Sequence, residues 1–206
     1  VSTLESIMIS NFATTVEECL HNMNNTLQCE GMTITQHGEM VSLYYGELMS
    51  LINSNQTKLV ERPLIELDEI THNKLYSFYM KYHNILTPSE IVSKYHLYHD
   101  CGKPLCLEID DKGKRHFPNH ALLSYEQYKI IDPDNFIVQE LILHDMDFHI
   151  LKGEYIKKLW ENPLAPTLYL TAWAELYANA QMFGGCDTVS FKIKKKNLIK
   201  KLNKIV

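Results

Sequence analysis

Apolar residues recur on a helical period along most of the chain. Val16, Cys19, Leu20 and Met23 follow Thr14 and Thr15, which form overlapping capping boxes with Glu17 and Glu18 and predict a packing helix within residues 1–30. Met40, Leu43, Tyr44, Leu48 and Leu51 predict a second helix that begins near His37. Residues 53–65 are polar and aperiodic and read as a loop. Residues 66–86 read as a third helix carrying His72 and His83, which lack a motif and read as structural or substrate-proximal. Thr87-Pro88-Ser89-Glu90 opens a fourth, with Thr87 as cap and Pro88 at the first helical position. That helix should run through Ile91, Val92, Tyr95 and His96 and stop near Gly102, which places His99 and Asp100 in its last turn.

The second half repeats the pattern. A charged turn from Asp110 to Arg115 precedes a helix opened by Pro118, which carries His120, Leu122, Leu123 and Tyr125. Asp132-Pro133-Asp134-Asn135 starts another, running through Phe136, Ile137, Leu141 and Ile142 to the segment His144–His149. Helices over residues 154–162 and 166–183 follow, the latter closed by Gly184-Gly185. Tyr169, Trp173, Tyr177 and Asn179 on it read as core or as a pocket wall. The fold class expected is all-α.

Composition adds little to this. A chain of 206 residues with 45% apolar and 22% charged residues suits one globular domain. No charged-then-apolar leader and no run of 18 apolar residues is visible, which argues against secretion and membrane spanning and for a cytoplasmic protein. The five cysteines form an odd set without zinc-type spacing and read as reduced thiols. Charge changes the picture more. The net charge is −5, yet the tail from Lys192 to Val206 holds seven lysines and no acid, leaving about −12 on the rest. Ile193, Leu198, Leu202 and Ile205 could form one face of a basic amphipathic helix. The stretch Lys192–Lys204 then suits either contact with nucleic acid or a solvated terminal helix packed by its apolar side.

The candidate chemistry centres on His96 to His120. His99 and Asp100 share roughly one helical face with His96, and His116 and His120 follow four residues apart. Imidazole nitrogens and carboxylate oxygens bind divalent ions without the thiolates of structural zinc. Such mixed ligation suits Mn, Fe, Co or Ni better than calcium, with magnesium left open. A second His-Asp pair, His144-Asp145, ends another apolar helix, and two such pairs are hard to explain by packing. Arg115, one of two arginines in the chain, lies in a turn that suits a phosphate-bearing substrate or is merely solvated.

The run His99-Asp100-Cys101-Gly102-Lys103-Pro104, an acidic glycine-containing turn, and then His116-Phe117-Pro118-Asn119-His120 resembles the HD superfamily of metal-dependent phosphohydrolases. Within it, the local likeness is to the HD domain of bacterial tRNA nucleotidyltransferases. The resemblance covers residues 31–185, resting on order and spacing outside the central run. It implies a single HD-type helical domain with the metal site between helices, preceded by the packing helix of residues 1–30. Residues 186–206 form a basic tail in the same domain or an appended helix. His37, opening a helix well upstream, resembles the family's first ligand, the alternative being a surface histidine. The implied metal set is His37, His99, Asp100 and Asp145. His120 and His144 would hold a second ion or the substrate phosphate. The family's last carboxylate lies in an apolar-Ala-Asp context, which here reads Ala174-Glu175, so Glu175 is the alternative to Asp145.

The activity implied is phosphate ester hydrolysis by a water that one or two divalent transition-metal ions activate. Asp100 and Lys103 would be catalytic, Lys103 stabilising charge on the phosphoryl oxygens. Lys103, Arg115 and His116 would bind substrate. A phosphomonoesterase releasing phosphate from nucleotides is the first reading. A phosphodiesterase opening 2′,3′-cyclic or other cyclic nucleotides is the second. A reading from another class is a non-catalytic HD scaffold that binds nucleic acid through the lysine tail.

Overall fold

The computed structural model describes residues 11–54 and 64–205, and residues 55–63, most of the expected polar loop, lie outside it. The protein is all-α. In chain order the elements are α1 (Val16–Asn25), a small hairpin of β1 (Leu27–Cys29) and β2 (Met32–Thr33), α2 (Ile34–Ser54), α3 (Glu69–Tyr82), a 3₁₀ turn (His83–Ile85) and α4 (Ser89–Tyr98). There follow α5 (Lys103–Cys106), a hairpin of β3 (Glu108–Ile109) and β4 (Arg115–His116), α6 (His120–Ile131) and α7 (Phe136–Leu143). The chain closes with α8 (Asp147–Ile150), α9 (Glu154–Trp160), α10 (Ala165–Met182) and α11 (Val189–Leu202). Both hairpins are antiparallel.

Helix starts follow side-chain caps. The oxygens of Thr15, Thr33, Asp68 and Thr188 accept the backbone N–H of Glu18, Gln36, Thr71 and Phe191, three residues on in each case. Glu18 returns a bond from the Thr14 N–H at 2.8 Å, and Gln36 returns one from the Thr33 N–H at 2.9 Å. The Thr33–Gln36 box starts α2 at Ile34, earlier than the expected start near His37, and still leaves His37 in the first turn.

Other boundaries differ for local reasons. α4 ends at Tyr98, not near Gly102, because the Cys101 N–H bonds the Tyr98 carbonyl and the Lys103 N–H bonds the Asp100 carbonyl. These three-residue closures take His99 and Asp100 out of the helix into a tight turn. α6 starts at His120, not at Pro118, because Asn119 sits in the left-handed region at φ 56°, which asparagine tolerates. The expected charged turn of Asp110 to Arg115 is the tip of a hairpin, where Asp110 accepts the N–H groups of Lys112 and Lys114 at 2.9 Å each.

The chain gathers into two compact units, Val1–Glu39 with Ser93–Asp145 and Met40–Val92 with Met146–Val206, the boundaries falling inside α2, inside α4 and between α7 and α8. In the first unit, α6 holds the N-terminal segment through Gln127, whose amide exchanges two hydrogen bonds with the backbone of Ala13 at 2.8 and 2.9 Å. Asp132, at the end of α6, accepts bonds from Tyr128, Lys94 and Asn135. Gly102 packs directly on α6, where a Cβ would collide with the backbone of Leu123 and Ser124. The Ser124 hydroxyl accepts the Gly102 N–H at 2.9 Å.

In the second unit, α10 is buried on nearly every side, at 15 of its 18 residues, the polar Thr167, Thr171 and Glu175 among them. The rings of Phe78, Phe148, Trp160 and Tyr169 pack at centroid distances of 4.8 to 5.7 Å, so the aromatic stripe is core. His72 is buried with Nε2 on the Leu51 carbonyl at 3.1 Å, a structural role. The lysine-rich tail packs here as α11. Tyr169 donates to the Leu198 carbonyl and Trp160 to the Lys201 carbonyl. Its buried side is Phe191, Leu198 and Lys201, whereas Ile193, expected on that face, is 55% exposed. The helix begins at Val189, so Phe191 sets the register and turns Ile193 outward.

Two outcomes follow for stability. Gly102→Ala should lower the urea unfolding free energy by about 1–3 kcal/mol, because backbone must move, whereas Gly46→Ala, exposed in α2 with open space around it, should raise it by about 0.5–1 kcal/mol. The Asp68 carboxyl is held far below its usual range, with burial working the other way but outweighed by Lys195 Nζ at 2.7 Å and the two Thr71 donors. Folding lowers this pKa, so the ionised cap stabilises above the unfolded value near 3.9 and loses that contribution as pH falls through the folded value. Asp68→Asn keeps a cap without charge. It should be less stable than wild type near neutral pH, by under about 1 kcal/mol for a half-exposed group, with the difference closing towards pH ~2.

Candidate metal centre

The first unit buries a carboxylate among cations. Asp100 is 2% exposed, and its Oδ2 lies 3.1 Å from His99 Nε2, 3.7 Å from His37 Nε2 and 2.5 Å from Lys103 Nζ. His120 Nε2 stands 3.7 Å from Oδ1, a buried oxygen that accepts no hydrogen bond among the described residues. Burial alone would raise the Asp100 carboxyl, but the charges of His99 and Lys103, and then His120, hold it well below the usual carboxylate range.

Each candidate ligand is placed by its own element. His37 sits in the first turn of α2, and the next residue is Gly38, where a Cβ would stand 2.6 Å from the His96 carbonyl oxygen. With glycine there, the start of α2 closes onto the end of α4, and the His37 and His99 rings lie 5.4 Å apart. His99 Nδ1 is 2.7 Å from the His96 carbonyl, and His120 Nδ1 is 3.0 Å from the Phe117 carbonyl. A carbonyl only accepts, so both Nδ1 atoms carry the proton and both rings turn Nε2 towards Asp100. His99 Nε2, 3.1 Å from Asp100 Oδ2, pairs with the carboxylate as a charged donor while the ring holds its second proton, and offers a ligand lone pair to a metal once that proton is displaced. Burial pushes His120 below the ordinary imidazole value, against the pull of Asp100, which favours its neutral, ligating form.

These donors fit a divalent metal. Metal–ligand distances of about 2.0–2.2 Å put neighbouring donors about 3.0–3.6 Å apart, which the spacings around Asp100 approach. His37, His99 and Asp100 each offer a ligand atom within 4.8 Å of the others. His99 and Asp145 also offer atoms within 4.8 Å of each other, and the buried Asp145 accepts the Tyr95 hydroxyl on Oδ1. Tyr95 in turn sets its ring edge-on to His99.

Lys103 is 6% exposed, tied to Asp100 and to Gln28 Oε1 at 2.9 Å, with Nζ 5.1 Å above the Phe117 ring. Arg115 and His116 form β4, just before Phe117. His116 is exposed and paired with Asp110 at 2.9 Å, while Arg115 makes no ion pair among the described residues. His144 is half-buried, with Nε2 3.7 Å from Glu140. Glu175 belongs to the second unit, where it accepts His149 Nε2 at 2.8 Å. His83 is exposed on the Met80 carbonyl. Gln28 and Tyr95 escaped sequence reasoning. Tyr95 stands four residues before His99 on one helical face and was findable from that spacing, whereas the hairpin bearing Gln28 gave no signal.

No family model matches the chain, and no curated protein or solved structure matches it either. Among the described residues no helix is long and apolar enough to cross a membrane, and all five cysteines are free thiols.

In metal-free protein, Asp100→Asn should cost about 3–5 kcal/mol, because it leaves the Lys103 ammonium buried without its anion. The double variant Asp100→Asn/Lys103→Met should cost less than the sum of the singles, read from urea midpoints in a double-mutant cycle. An additive double would show that the pair is not coupled.

Proposed function

We propose that the protein is a metal-dependent phosphohydrolase, with nucleotides as its first substrate class. The observation that carries this reading is the buried Asp100 carboxylate faced by three imidazoles, two of them fixed through Nδ1 on backbone carbonyls. Buried imidazole and carboxylate without thiolate is a donor set for Mn, Fe, Co or Ni, with magnesium left open. The resemblance of His99 to His120 to the HD superfamily supports hydrolysis of phosphate esters over other metal chemistry.

His37, His99 and Asp100 would hold the ion, with Asp145 as the further carboxylate. When bound, a divalent ion supplies Lewis acidity and acidifies water towards neutral pH. The His96 and Phe117 carbonyls keep His99 and His120 in the ligating tautomer and orientation. Tyr95 orients Asp145. Lys103 keeps a fixed positive charge beside Asp100, which favours a phosphoryl group as negative charge grows on its oxygens. Arg115, which makes no ion pair among the described residues, would meet the substrate's remaining phosphate charge.

The test is elemental analysis of the purified protein together with hydrolysis of a panel of nucleoside monophosphates and 2′,3′-cyclic nucleotides. Wild type is expected to carry a transition metal and to release phosphate. His99→Ala and Asp100→Ala should lose metal and at least about 100-fold in kcat/KM together. Arg115→Ala should keep the metal and raise KM. Opening of cyclic nucleotides without release from monophosphates would move the substrate class to cyclic diesters. Wild type that takes up no metal on reconstitution and hydrolyses nothing would refute the hydrolase.

A further inference from the structure

The second unit carries an unbalanced cluster of positive charge. A cavity of about 270 Å³ is lined by Lys152, Lys200, Lys201 and Lys204, with Asn197 and His149 among its other walls and no acid. Lys152 comes from the turn between α8 and α9, Lys200 and Lys201 from the last turn of α11 and Lys204 from just past its end, so two separate segments bring like charges together. None of the four makes an ion pair among the described residues, although Lys129, Lys157 and Lys195 each find a carboxylate. Lys201 is 9% exposed, and its ammonium donates to the Phe148 carbonyl, a neutral partner. Burial, and then the charge of Lys152, push Lys201 below the ordinary lysine range. The C-terminal dipole of α11 offsets part of this charge for Lys200 and Lys201 but does not account for Lys152. A buried ammonium with further cations around a hollow is costly unless an anion completes it.

We propose that this cavity is a binding site for the phosphate groups of a small phosphorylated ligand, held by Lys152, Lys200 and Lys204 at its mouth and by Lys201 in its wall. The volume suits a diphosphate. Asn197 supplies a donor that is not a point charge. The outward lysines of α11, Lys192, Lys194 and Lys196, do not line the cavity, so a polyanion following the helix surface would use a different set. The site shares no residue with the His37–His99–Asp100 cluster and stands whether or not that cluster holds metal.

Pyrophosphate binding is measured by calorimetry on the full chain stripped of metal with EDTA, so that the Asp100 cluster contributes no ion. Wild type should bind with a defined stoichiometry. Lys200→Gln/Lys204→Gln, both exposed positions, should weaken binding at least about tenfold. Lys192→Gln/Lys196→Gln, with the same change in net charge, should leave it unchanged. Far-UV circular dichroism verifies that both variants fold. Equal losses in the two variants, or no pyrophosphate binding by wild type, would overturn the site. So would binding of a single-stranded oligonucleotide but not of pyrophosphate, which would transfer the role of these lysines to a nucleic-acid surface.

Discussion

Burying one carboxylate sets the terms for the first unit. Asp100 at 2% exposure is tolerable only if cations and donors surround it, and Lys103, His99, His37 and His120 do so from four places in the sequence. Two glycines make that convergence feasible. Gly38 admits the His96 carbonyl and Gly102 admits the backbone of α6, so neither helix is held off by a Cβ. The same carbonyl that crowds Gly38 also fixes the His99 tautomer. Packing and the placing of the candidate ligands are therefore one constraint, and the local sequence carries its signature as a His-Asp pair with Gly-Lys one residue on.

Much of this was legible in the chain. Helical period and capping residues located the long helices because both are local, encoded within a few residues. Short-range spacing puts His99 and Asp100 together, whereas Lys103 and His120 join them only through the resemblance of the run His99 to His120 to the HD superfamily. What escaped was non-local or conformational. The left-handed backbone at Asn119 delayed α6 by two residues, and the three-residue closures after Tyr98 replaced a helical turn. Gln28 reaches Lys103 from a hairpin too short to show strand alternation. Ile193 faces solvent because α11 begins at Val189, ahead of the lysine run, and the buried Phe191 sets its register.

The second unit follows a different rule. α10 is buried almost throughout and organises its neighbours through ring packing and the Tyr169 hydroxyl bond to the Leu198 carbonyl, to which α9 adds the Trp160 indole bond to the Lys201 carbonyl. That arrangement draws the basic helix α11 into the core by its backbone while leaving most of its lysines in solvent. Charge there is thus a consequence of tertiary attachment at one face and free for ligand contact at the other. Lys200, Lys201 and Lys204 there, with Lys152 from the turn between α8 and α9, line a hollow, and charge without compensation in a folded protein calls for a partner.

The imidazole and carboxylate groups around Asp100 could hold a metal ion. X-ray absorption on the cobalt-reconstituted protein reads that shell directly. A metal bound by these side chains gives nitrogen and oxygen scatterers at about 2.0–2.2 Å, with the outer-shell multiple scattering of at least two imidazoles, reduced in His99→Ala. A shell of oxygen alone, unchanged in that variant, would place the ion elsewhere and contradict the claim.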